Sequence, residues 1–71
     1  MALVVYALDG AKFNLIKAAE NGNVYAQYNL AVFYEKDEGT EKNLEKSFYW
    51  YQKAAEGGNI NAMFNLAIYY E

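Results

Sequence analysis

The chain has no cysteine, no histidine, no arginine and no proline among its 71 residues. Without cysteine or histidine there is no disulfide to close a loop, no thiolate or imidazole for catalysis, and no ordinary zinc ligand set. The lack of proline removes the residue that interrupts helices most firmly. Nine acidic residues against six lysines give a net charge of −3, the wrong sign for a nucleic-acid-binding surface. No apolar run is long enough to span a membrane. The opening "MALVVYALDG" turns polar after about eight positions and has no basic residue before it, as a signal peptide would. It reads as the core-facing start of a helix, with a degenerate export signal as the other reading, and the chain is expected in the cytoplasm. Nucleophilic chemistry would fall to Ser47, Thr40 or a lysine, none with an activating partner in view. Gly57 and Gly58 close a helix and do not form a phosphate loop. The acidic run Glu35, Asp37, Glu38 and Glu41 is broken by Lys36 and Lys42 and fits a solvated loop better than a calcium loop. No catalytic, cofactor-binding or metal-ligating residue is expected, and the protein is not expected to be an enzyme.

What the sequence does have is repetition. "KAAENGNVYAQYNLAVFYE", from Lys17 to Glu35, returns as "KAAEGGNINAMFNLAIYYE", from Lys53 to Glu71, 36 residues later. Of the 19 aligned pairs 12 are identical, and four more exchange close relatives (Val24/Ile60, Tyr28/Phe64, Val32/Ile68, Phe33/Tyr69). A period in this range marks stacked supersecondary units, none of which can bury its apolar face alone.

Each unit reads as helical. Ala26, Leu30, Phe33 and Tyr34 recur at helical spacing, and Ala62, Leu66, Tyr69 and Tyr70 repeat the stripe. Leu44, Ser47, Phe48, Tyr51, Ala54 and Ala55 form a second stripe; its counterpart 36 residues earlier keeps Leu8, Ala11, Leu15, Ala18 and Ala19 but has Lys12 in place of Phe48. Gly22 and Gly58 are placed to end helices, and Asn23, Asn59 and Asn43 to begin them. The polar stretch "KDEGTEKN" connects the two hairpins. The expected helices run from Ala2 to Asn21, Val24 to Lys36, Leu44 to Gly57 and Ile60 to Glu71.

These residues resemble the Sel1-like repeat, a relative of the tetratricopeptide repeat. The resemblance rests on the 36-residue period, "NLAVFYE" and "NLAIYYE" on the first helix, "DEGTEKN" in the loop, and "FYWYQKAAEGGN" closing the second helix. Asp37 stands where the family often has glycine, Ser47 where it usually has alanine, and Ala31 and Ala67 where glycine is common. The resemblance implies an all-α fold: a short right-handed superhelical solenoid of antiparallel helix pairs, with four helices. Residues 1–71 are then one domain, made of a degenerate helix over 1–21, a full repeat over about 23–58 and the first helix of the next over 59–71. It further implies a non-catalytic scaffold that binds a partner protein or extended peptide on the concave row of first helices. Tyr25, Tyr28, Asn29 and Val32 in one copy, with Asn61, Phe64, Asn65 and Ile68 in the other, are the expected contacts. The competing readings are plain packing for Tyr28/Phe64 and Val32/Ile68, and a hydrogen bond to a neighbouring helix for Asn29 and Asn65. Trp50 is expected to pack between hairpins. Such repeats are also appended to catalytic domains, so the alternative is a fragment or regulatory tail of a larger enzyme such as a protein kinase. Ala62, Leu66, Ala67 and Tyr70 should face outward on the last helix, giving a route to self-association.

Overall fold

In the computed structural model, residues 12–36 and 43–69 are described. They form four helices: α1 over 12–20, α2 at Val24–Glu35, α3 at Leu44–Glu56 and α4 at Ile60–Tyr69, with no strand among the described residues. The helices agree with expectation apart from their ends. Asn21, Lys36 and Gly57 lie just outside them as turn or cap residues. Residues 2–11 of the expected first helix, the loop over 37–42 and the last two positions lie outside the described residues.

Both tight turns follow one local rule. At the end of α1 the Gly22 N–H donates to Ala19 O and the Asn23 N–H to Ala18 O; at the end of α3, Gly58 donates to Ala55 O and Asn59 to Ala54 O, all at 3.0 Å. This pair of bonds needs a left-handed residue, and Gly22 and Gly58 have φ of 96° and 98°. The next residue then opens the following helix. Asn23 Oδ1 accepts from the Ala26 N–H at 2.9 Å, and Asn59 Oδ1 from Ala62 at 2.8 Å. One asparagine thus closes one helix and caps the next. Asn43 caps α3 in the same way through Lys46.

Successive helices run antiparallel. Asn43 donates its N–H to Tyr34 O, Ser47 Oγ donates to Ala31 O at 2.8 Å, the Tyr28 and Tyr51 rings lie 5.8 Å apart, and Gly57 sits against Val24. The first helix of the hairpin is therefore read upward as the second is read downward. Gln27, also buried, donates its amide to Ala19 O and ties α2 back to α1.

Two clusters make the core. Ala19, Ala26, Leu30 and Tyr34 join α1 to α2, with Leu15, Ile16 and Ala18 packed alongside. Ala31, Tyr51, Ala54 and Ala62 join α2 to α3 and α4. Helix α2 feeds both clusters, which explains why it carries no charge before Glu35. Trp50 packs against both. Lys12 fits its site because its ammonium lies 5.2 Å from the Phe33 ring centre and 5.7 Å from that of Tyr34, a contact worth roughly 0.5–1 kcal/mol where exposed.

Two expectations need correction. Leu44 is not buried but 51% exposed: as the first residue of α3 it lies level with the end of α2, at the edge of the helix pair. Ala62 does not face outward; it is fully buried, with Leu66 partly so, because α4 folds back onto α3 through them. Ala67 is exposed as expected, Tyr70 lies outside the described residues, and the open side of α4 joins Ala67 to Met63, Phe64 and Ile68.

Leu30 is fully buried at the α1–α2 contact, so Leu30→Ala should cost about 2–5 kcal/mol. In so small a domain this lowers Tm by roughly 10 °C or more, read from thermal melts followed by circular dichroism.

Candidate functional site

Helices α2 and α4, which occupy equivalent places 36 residues apart, leave a groove between them over α3. It has a volume of about 370 Å³ and is lined by Tyr28, Val32, Glu35 and Lys36 of α2, Tyr51 of α3, and Asn65 and Ile68 of α4. Helix periodicity explains the α2 wall: positions 28, 32 and 35 share a face one step round from the buried Ala31. Tyr51 forms the floor because the ring buried beside Tyr28 carries its hydroxyl out toward Glu35.

That hydroxyl organises the polar part of the groove. Tyr51 Oη donates to Glu35 Oε1 at 2.8 Å. Burial, and next the hydrogen bond and charge of Glu35, push the phenol well above its ordinary range, while a hydrogen bond with Asn65 acts in the opposite direction. The Asn65 amide stabilises the phenolate as a donor to its oxygen. So Glu35, Tyr51 and Asn65 link α2, α3 and α4 in one chain of polar contacts. No buried side-chain polar atom lacks a partner among the described residues.

Of the eight residues expected from the sequence, Tyr28, Val32, Asn65 and Ile68 meet in this groove. Tyr25 and Asn61 line a separate hollow of about 400 Å³ beside the α3–α4 turn, with Val24, Asn59 and Ile60. Asn29 and Phe64 line neither, and both are exposed. Asn29 and Asn65, equivalent in sequence, thus sit in different surroundings. The position that gives Asn65 its phenol is Tyr51, and 36 residues earlier that position is Leu15, which has no hydroxyl to offer. Three lining residues, Glu35, Lys36 and Tyr51, are not among those eight. Tyr51 was assigned to the buried stripe, and only its long reach past the stripe, a property of tyrosine as such, could have signalled the second role.

The groove offers an amide, a carboxylate and a lysine over apolar walls, and among the described residues no three acidic side chains gather to hold a metal. No helix among the described residues is long and apolar enough to cross a membrane.

Compared with models of known families, the chain matches the Sel1 repeat over residues 9–23, 24–59 and 60–71. No curated protein and no solved structure matches it.

The fold favours the neutral Tyr51 phenol. Its contribution is complete below the unfolded value of about 10 and is lost as pH rises above that toward the raised folded value. Wild-type Tm should therefore fall more steeply above about pH 10 than that of Tyr51→Phe, which starts lower for want of the bond to Glu35. Melts from neutral to alkaline pH check both parts.

Proposed function

The chain belongs to the Sel1 repeat family, and from that premise we propose that it holds an extended segment of a partner protein in the groove between α2 and α4. Repeats of this family are non-catalytic and mediate protein–protein interaction, which agrees with a chain that has neither thiol nor imidazole. One observation carries the groove reading. Four residues from equivalent helices of consecutive repeats, Tyr28, Val32, Asn65 and Ile68, converge on one concave surface around a polar floor.

The chemistry suits a peptide in extended form. Such a segment presents unpaired backbone N–H and C=O groups at regular intervals, and these need partners of both kinds. The Asn65 amide can donate and accept, and the Glu35 carboxylate accepts. Val32, Ile68 and the Tyr28 ring supply apolar area for alternate side chains of the peptide. With a net charge of −3, the scaffold favours a neutral or basic segment over an acidic one.

Peptides selected from a displayed random library against the full chain test this reading. Ile68→Asp places a charge in the groove at a residue 58% exposed, so it should weaken the selected peptides at least tenfold with helicity unchanged. Gln52→Asp, at an exposed position of α3 that does not line the groove, should leave them bound. Peptides lost with Gln52→Asp and kept with Ile68→Asp would place recognition elsewhere.

A further inference from the structure

Helices α2 and α4 are near copies, yet they differ in what covers them. On α2, Ala31 is fully buried and Gln27 only 7% exposed. Their counterparts on α4 are open: Ala67 is exposed and Met63 is 47% exposed, with Phe64 beside them at 69%. Within the chain, α3 covers α2. Its Tyr51 ring packs on Tyr28, Ser47 bonds to Ala31 O, and Tyr49, Trp50 and Lys53 close a hollow against Ala19, Glu20, Gly22 and Gln27 at the α1–α2 turn. The molecule thus displays, once, how a second helix seats on the preceding turn and first helix.

The same chain has a second helix whose equivalent side is uncovered. Thirty-six residues before α3, α1 has Phe13 for Tyr49, Leu15 for Tyr51, Lys17 for Lys53 and Ala18 for Ala54. Tyr51 and Ala54 are fully buried, whereas Leu15 and Ala18 are only half-buried; Phe13, at 58%, edges this open side as Tyr49, at 50%, edges the covered one. The two open faces are therefore the two halves of a contact already made internally. Their chemistry matches. Lys53 and Glu20 share the internal hollow, and their counterparts Lys17 and Glu56 are both exposed and of opposite charge. The internal Tyr28–Tyr51 pair becomes Phe64 and Leu15, so hydroxyls are absent from both sides where two apolar surfaces would meet.

We propose that the chain stacks head to tail on a second copy of itself, α1 of one copy seating on the α3–α4 turn and α4 of the other as α3 seats on the α1–α2 turn and α2. The inference rests on the repeat reading but uses surfaces outside the peptide groove. Because the two faces differ, the contact is heterologous, and each added copy leaves one face of each kind open. Association does not stop at a dimer.

Sedimentation of the full chain across a dilution series should show a mass that climbs past the dimer with concentration. Phe13→Glu removes the α1 face and Phe64→Glu the α4 face, both at exposed positions where circular dichroism should show helicity retained. Each variant alone should be monomeric, with its dissociation constant raised at least tenfold. An equimolar mixture should form a dimer and nothing larger, since one variant keeps the α4 face and the other the α1 face. Phe13→Glu should also keep its groove-bound peptides, which separates this inference from the binding reading. A wild-type chain monomeric throughout, an assembly that survives Phe13→Glu, or a mixture that stays monomeric while the wild type associates would each overturn it.

Discussion

Helix α2 buries two sides at once, one under α1 and one under α3, and the rest of the fold depends on that double contact. Leu30 and Tyr34 turn toward one and Ala31 toward the other. The small size of Ala31 lets α3 approach closely enough for the Ser47 hydroxyl to reach the α2 backbone. That bond gives a buried serine a partner at the one site where its hydroxyl would otherwise be costly. The central helix is shared between the two clusters, so each cluster supports the other through it. Stability in such an array comes from nearest-neighbour contacts summed along the stack.

What could be read from the sequence was whatever is decided within a few residues. The left-handed torsion at Gly22 and the cap at Asn23 follow from local bonding, and a near copy of the same motif at Gly58 and Asn59 made them legible twice. The stripe of Ala26, Leu30 and Tyr34 was legible for the same reason. Less legible was anything set by a neighbour in space. Leu44 keeps the helical rhythm, but its place at the very start of α3 leaves it uncovered. Asn29 and Asn65 are identical in motif, and their environments diverge because one follows Leu15 by 14 residues and the other follows Tyr51 by the same interval. The groove was half legible: its apolar walls lie on the expected helix face, whereas its floor belongs to a residue assigned to the core.

Tyr51 belongs to the core and to the groove at once. Its ring belongs to the second core cluster, and its hydroxyl belongs to the groove. Anything that occupies the groove and engages Asn65 or Glu35 therefore acts on contacts that also hold α2, α3 and α4 together. A partner that binds only the folded form stabilises it by mass action. A segment seated as proposed would exert that stabilisation through the Tyr51 phenol, which joins the three helices.

Gly22 and Gly58 have another consequence, in terms of handedness. Their backbones lie on the left-handed side of torsion space, and a Cβ built on either meets no atom within 4 Å. Glycine is held there by chirality alone and not by crowding. At Gly57 the reverse applies, since an added Cβ would come within 2.5 Å of Val24 Cγ2. A D-alanine has the mirror-image preference and would find its favoured torsion at both turns. The two tight turns are thus places where a chain of L-residues is locally a mirror image of itself, and where a residue of the opposite hand would suit the fold better than any of the other nineteen encoded ones.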